Sequence, residues 1–260
     1  MTVTEPADVE ALMRVGAVVA EARDVMGAAV RAGITTAELD AIGLEILNKH
    51  GARSAPQLAY DFPGVTCISV NDELAHGIPS KERVLRDGDL VNIDVSAELG
   101  GYWADSGASF PVGEVGPRFT ALLEATRLAL ADGMAQVRAG RPIRNIARAV
   151  ERRAKQSGFK VVRDLCGHGV GRHIHEAPNI PNTTHGADNK LLWEGLVMTI
   201  EPFLTTSASS VTEASDGWTL RIREAEGEGF GFLRRFDSRG NLRRQRAHRN
   251  PCLHDRWNSS

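Results

Sequence analysis

Asp94 and Asp105 are the pair whose type and spacing first suggest chemistry. One lies in Leu90-Val-Asn-Ile-Asp94-Val-Ser-Ala-Glu-Leu99 and the other in Tyr102-Trp-Ala-Asp105-Ser-Gly-Ala-Ser-Phe110, on either side of Gly100-Gly101. Apolar and polar residues alternate along both arms, which predicts two paired strands joined by the glycine turn. The aspartates stand at similar distances from that turn, so the register can bring their carboxylates side by side on one face of the sheet. Carboxylates that close repel, and one must hold a proton at neutral pH unless a divalent cation compensates both. A cation there also supplies a catalyst. The competing reading is an ordinary hairpin whose aspartates sit apart at the solvent face.

The second half of the chain adds His168, His173, His175 and Glu201. Gly167, Gly169 and Gly171 flank His168, permitting unusual backbone angles and close approach of a ligand. Glu201 follows the apolar run Leu196–Ile200 and precedes Pro202, so it is expected at the end of a buried strand, where a carboxylate needs a partner. Taken singly, a core histidine and a strand-end salt bridge explain His168 and Glu201 as well as ligation does. Jointly, two Asp, one His and one Glu form a set suited to manganese, iron(II), cobalt or zinc rather than to a thiolate-bound ion.

The elements that must position these groups are legible in order. An apolar stripe at Val9, Leu12, Met13, Val19, Ala22, Met26 and Val30 predicts a helix that Gly33 is placed to end. Thr35 or Thr36 caps a second, with Glu38 in its first turn, Leu39, Ile42 and Ile46 on its buried face, and Gly51 closing it. A polar loop with Pro56 and Pro63 leads to a strand at Val65–Val70, then an irregular connection over Asn71–Pro79, then the hairpin. Beyond it Phe119, Leu122, Leu123, Leu130 and Val137 mark a third helix, and Ile143, Ile146, Ala147, Val150 and Ala154 a fourth. Strands return at Phe159–Val162 and Leu196–Ile200. Each half, roughly 1–112 and 113–220, thus gives a helix pair followed by strands. The expectation is an α+β domain with pseudo-twofold symmetry, a central antiparallel sheet, outer helices, and polar residues of both halves meeting at the middle.

At 260 residues and 42% hydrophobic composition the chain can bury a large core, and a net charge of −2 offers no global field for nucleic acid or an anionic membrane. Cys67, Cys166 and Cys252 lack CxxC spacing, which argues against a disulfide framework or structural zinc finger and fits a reducing cytoplasm. The first residues carry acids and no basic or apolar leader pattern, and no run approaches membrane-spanning length, so a cytoplasmic protein is expected.

Six motifs then carry a family resemblance: Asn71-x-x-x-x-His76-Gly-Ile-Pro79, Asn92-Ile-Asp94-Val95, Ala104-Asp105-Ser106, Gly167-His168-Gly-Val-Gly-Arg-x-x-His175-Glu-x-Pro178, Thr199-Ile-Glu201-Pro202 and Asp216-Gly-Trp218-Thr219. In this order the chain resembles type I methionine aminopeptidases of the pita-bread metallopeptidase fold, peptidase family M24, from the first helix to about Leu220. The resemblance implies removal of the N-terminal methionine from nascent proteins and peptides when the second residue is small, by a metal-activated water. It implies a dinuclear site in which Asp94 chelates one ion, Asp105 bridges both, and His168 and Glu201 ligate. His76 and His175 are then the substrate-contacting and acid–base histidines, and Phe62, Cys67 and Trp218 fall where the family lines its methionine pocket. His173, His185, His248 and His254 match no family position and are expected at the surface. The expected partners are nascent polypeptide N-termini, with no DNA or membrane, and the chain is expected to act as a monomer.

The resemblance stops near residue 220. The family's last strand carries Gln-x-Glu-His-Thr, whose glutamate is the second bridging carboxylate, and Phe232 falls about where it should stand. Residues 221–260 hold ten arginines, no lysine and five acids, a net +5 against −7 for residues 1–220. Little apolar periodicity is visible there, so the expectation is a catalytic domain over 1–220 and a loosely packed or disordered tail over 221–260. An out-of-frame ending accounts for such a tail, and so does a basic arm making transient contact with ribosomal RNA. Two functions stay open at this point: a working aminopeptidase, with Glu224, Glu226 or Glu228 substituting as ligand or with one metal sufficing, and a catalytically impaired copy or binding module. A prolidase-like peptidase of the same fold is a narrower rival.

Overall fold

The computed structural model describes residues 1–222 apart from 186 and 188. The tail, with Glu224, Glu226, Glu228, Phe232, His248 and His254, lies outside the described residues. In chain order the elements are α1 (Pro6–Ala28), α2 (Thr36–Lys49), β1 (Arg53–Ser54), α3 (Ala55–Tyr60), β2 (Cys67–Val70), β3 (Glu73–Ala75), β4 (Leu90–Leu99) and β5 (Tyr102–Pro111). There follow α4 (Pro117–Met134), α5 (Arg144–Gln156), β6 (Lys160–Val161), β7 (Cys166–Gly169), β8 (Glu176–Pro181), β9 (Leu204–Thr205), β10 (Val211–Glu213) and β11 (Leu220–Ile222).

The predicted hairpin forms β4 and β5. Gly100 and Gly101 take φ of 62° and 82°, the left-handed values that a two-residue turn between twisted strands demands. Strand β4 is the axis of the first half, pairing antiparallel with β1, β2 and β5. On one face Val91, Ile93, Val95 and Ala97 are wholly buried against Val15, Val18, Ala22 and Met26 of α1 and Leu39 and Leu47 of α2. Each such aliphatic side chain removed from water contributes about 1.5–3 kcal/mol. The period of two then leaves Asp94 and Ser96 on the opposite face.

Helix α2 begins as its sequence predicts, with Thr35 and Glu38 forming a reciprocal capping box. Helix α1 ends at Ala28, ahead of Gly33, which instead supplies the turn (φ 87°) whose N–H donates to the carbonyl of Leu85. In this half β1, α3 and β3 were not legible. The loop with Pro56 contains α3, capped by Ser54 and started by Pro56 in its first turn, and the connection after β2 contains the short strand β3.

In the second half α4 packs on α5 through Ala125, Ala129, Val150 and Ala154, with Phe159 and Leu204 closing the cluster. Leu196–Ile200 is not the regular strand expected. It is an extended segment making isolated bridges, Leu196 to Thr2 and Met198 to Gly169, because β7 bulges between His168 and Gly169 and interrupts the ladder. Leu196, Met198 and Ile200 still pack against Ile143, Ile146, Ile180 and Leu192. Among the described residues the strands pair as a four-stranded, a three-stranded and two two-stranded sheets, all antiparallel. No helix among the described residues is long and apolar enough to cross a membrane.

Ile93, 0% exposed behind Asp94, links the core to the site-bearing strand. Ile93→Ala is expected to lower unfolding stability by about 2–5 kcal/mol, measured by urea denaturation. A loss below about 0.5 kcal/mol would show that this face is not the core of the half.

Candidate metal centre

Asp94 and Asp105 share a sheet face but are not directly opposite: Asp94 faces Gly107 and Asp105 faces Ser96, which makes the carboxylates diagonal neighbours. Gly107 leaves room for the Asp94 carboxylate, since a Cβ there would lie 3.4 Å from its Oδ1. Across the other edge Asp94 faces Cys67, a free thiol that is nearly fully buried.

From the second half, β7 delivers His168. Its Nε2 lies 3.4 Å from Asp105 Oδ2 and 3.2 Å from Glu201 Oε1, and its Nδ1 is 2.8 Å from the carbonyl of Gly169. Thr199 joins the two segments: its hydroxyl accepts from the His168 N–H at 2.9 Å and donates to Glu201 Oε1 at 2.5 Å. Asn182 secures the same turn by donating to the carbonyls of Leu165 and Glu201. The glycines beside His168 are required by close backbone approach. A Cβ on Gly167 would stand 2.5 Å from the Thr199 carbonyl, and one on Gly169 2.5 Å from that of Ala177.

Ligand atoms of Asp105, His168 and Glu201 come within 4.8 Å of one another, and Asp94 adjoins them within hydrogen-bonding reach of Asp105. Two unit charges about 4 Å apart at an effective dielectric of about 20 interact by about 4 kcal/mol, too much to leave uncompensated. Burial first, then the charges of Asp105 and Glu201, push the Asp94 carboxyl well above the usual carboxylate range. For His168 burial opposes protonation, but hydrogen bonds and charge from Asp105 and Glu201 win and raise its pKa to about 10. Asp105 Oδ1 is buried without a hydrogen-bond partner among the described residues. Three carboxylates, an imidazole and an orphaned oxygen fit a hard or borderline divalent cation.

The nine residues singled out in the sequence all line one pocket: Phe62, Cys67, His76, Asp94, Asp105, His168, His175, Glu201 and Trp218. Phe62 and Trp218 meet edge to face with ring centroids 5.0 Å apart. Trp218 is held there by the Asp216 turn, whose carboxylate accepts from the N–H groups of Trp218 and Thr219. His76 takes φ 56°, uncommon for a non-glycine residue and frequent where a side chain is aimed at a site. The His175 and His168 rings lie 4.2 Å apart. His175 is carried by a loop that Glu176 closes, its Oε1 accepting from the N–H groups of Arg172 (2.6 Å) and His173 (2.8 Å). His173 and His185 are exposed, as expected. Missed in the sequence were Tyr60, Ile174 and Phe203, which also line the pocket. Tyr60 belongs to the stretch read as a polar loop, which carries no periodic signal.

An ion ligated by His168 would displace a proton from it, because its raised pKa favours the charged form at neutral pH. Loading the metal-free chain with Mn²⁺ at pH 7 is expected to release about one proton or more per chain, read by calorimetry in buffers of different ionisation enthalpy. Zero release would contradict the assignment of His168 to the cluster. Because the folded pKa is raised, this histidine's contribution to metal-free stability is fully present below about pH 6.5 and is lost as pH rises through about 10.

The chain matches the family described as metallopeptidase family M24 over residues 10–230. It is 48% identical to methionine aminopeptidase 2 of Bacillus subtilis (strain 168) over 222 residues, covering 85% of this chain and 89% of that one. Among solved structures it is similar to methionine aminopeptidase from Thermotoga maritima, with TM-score 0.81, 32% identity and coverage of 85% of this chain and 90% of that one. The methionine aminopeptidase of Rickettsia prowazekii gives the same TM-score and identity over 86% of this chain and 90% of that one. With the family match spanning most of its length and such relatives alongside, the chain belongs to metallopeptidase family M24 and groups with its methionine aminopeptidases.

Proposed function

We propose that this enzyme removes the N-terminal methionine from nascent proteins and peptides whose second residue is small. The observation that supports this most directly is the make-up of the pocket. Acidic residues and histidines from both halves line it together with the apolar Phe62, Cys67 and Trp218, the two rings meeting edge to face. An unbranched thioether suits a wall of aromatic rings and a soft thiol.

Asp94, Asp105, His168 and Glu201 are the proposed metal ligands. When bound, a divalent ion supplies Lewis acidity and makes water nucleophilic at neutral pH. The chain's own residues do the rest. The carboxylates favour the positive charge of a substrate α-amine, while the apolar wall seats the first side chain and so places the scissile peptide beside the acidic cluster. His175 hydrogen-bonds the peptide oxygen as charge develops on it, and His76 holds the amide or carries a proton to the leaving nitrogen. Only one residue fits ahead of the cluster, so only the first residue is released.

The finer reading is one tightly held ion drawn from cobalt, manganese, iron(II) or zinc, because with Asp94, Asp105, His168 and Glu201 as the whole ligand set the site lacks a second bridging carboxylate. The setting we propose is cytoplasmic, acting as a monomer on nascent chains, with no DNA or membrane partner.

Asp94→Asn and Asp105→Asn should each lower kcat/KM on a Met-Ala-Ser peptide beyond the roughly 10- to 100-fold that loss of an outer partner costs. Metal analysis should give one ion for the wild type and less for the variants, with circular dichroism unchanged. Full turnover by either variant would sink the ligand assignment. On substrates, Met-Ala peptides should be cleaved at least about tenfold faster than Met-Leu peptides. Comparable rates, or preferential cleavage of Met-Pro, would favour a prolidase-like specificity instead.

A further inference from the structure

Tyr60 is the last residue of α3, and Asp61 behind it takes φ 56° and ψ 35°, turning the chain so that Tyr60 stays among the pocket-lining residues. Its hydroxyl meets Nδ1 of His175, 115 residues away in sequence, and the two rings lie 5.5 Å apart at 34°. The His175 ring also meets that of His168, with centroids 4.2 Å apart and planes at 69°. The imidazole is therefore held between a tyrosine and the acidic cluster. Burial, then the charge of Asp105, push the Tyr60 hydroxyl up to about 12, so it keeps its proton and has one to donate to Nδ1. A neutral imidazole that accepts at Nδ1 carries its proton on Nε2.

We propose that Tyr60 is a positioning residue that fixes His175 in the Nε2–H tautomer, so that the ring offers an N–H donor to the peptide oxygen of the substrate. The proposal rests on the reading of His175 as the group that hydrogen-bonds this oxygen. Without the tyrosine hydroxyl, Nδ1 can take the proton and the ring can turn, presenting a lone pair where a donor is needed. Substrate seating against Phe62, Cys67 and Trp218 does not involve Tyr60's hydroxyl, so the loss falls on kcat and not on KM.

The test compares the full chain with Tyr60→Phe, which keeps the ring and its packing, both loaded with diamagnetic Zn²⁺ and labelled with ¹⁵N-histidine. His175 signals are assigned with His175→Asn. In the wild type His175 should show a protonated Nε2 and an unprotonated, hydrogen-bonded Nδ1. In Tyr60→Phe both nitrogens should move toward exchange-averaged values, with kcat on Met-Ala-Ser lower by about 10- to 100-fold and KM within about twofold. A wild-type His175 protonated at Nδ1 would overturn the proposal even if the variant failed to fold. So would a variant with the wild-type ¹⁵N pattern or an unchanged kcat. If His175→Asn itself kept full activity, the failure would lie in the reading of His175 and not in its tie to Tyr60.

Discussion

Like charges brought together against their own repulsion are the constraint that the rest of this structure serves. Asp105 and Glu201 converge on the buried imidazole of His168 with Asp94 beside Asp105, and burial and neighbouring charge push the Asp94 carboxyl up while the two acids raise His168. An arrangement of this kind opposes folding unless something else holds it. The holding is done mostly by backbone: a ten-residue strand pair, a bulge, and glycines that let neighbouring segments meet at carbonyl distance. The side chains brought in by this scaffold have little freedom to move apart and relieve the strain themselves.

The two halves solve the positioning problem differently. In the first, the period of two in β4 does everything. Val91, Ile93 and Val95 anchor the strand to α1 and α2, and Asp94 is thereby committed to the other face. In the second, no regular strand runs under Glu201. The segment 196–200 is fixed by backbone hydrogen bonds to β7 and to Met1, by side chains packed beneath α5, and by Thr199, whose hydroxyl ties the backbone of His168 to the carboxylate of Glu201.

That difference also accounts for what could be read from the chain beforehand. Asp94 and Asp105 were legible because a hairpin with a Gly-Gly turn has a strong local pattern, although the two-residue offset between them was not, since turn position alone leaves register open by a pair. Helices α1, α2, α4 and α5 announce themselves by apolar spacing and, for α2, by its cap. The strand expected at Leu196–Ile200 is an extended, broken segment because a bulge in its neighbour, invisible in its own composition, interrupts pairing. Helix α3 and Tyr60 were hidden for a related reason. Six residues are too few to show a period, and the left-handed conformation of Asp61 that aims the tyrosine is a tertiary outcome. The motifs around His76 and His175 were recognisable only through family resemblance, since their backbone settings leave no local signature.

Because the proposed ligands come from both halves, metal affinity and architecture are linked. Asp94 and Asp105 are covalently part of the first half, and His168 and Glu201 part of the second, so a bound ion is a bridge across the pseudo-twofold seam. A ligand present at 100 times its Kd adds about 2.7 kcal/mol to the folded state that binds it, provided the unfolded chain does not. For an ion held by the proposed ligands that stabilisation would fall on the seam, since none of the four belongs to the core clusters of α1, α2 and β4 or of α4 and α5. The same carboxylates that make the empty seam repulsive are what make it selective for a doubly charged ion over a proton: one proton on His168 cancels a single charge, and a divalent ion that displaces it offsets more of the cluster's negative charge.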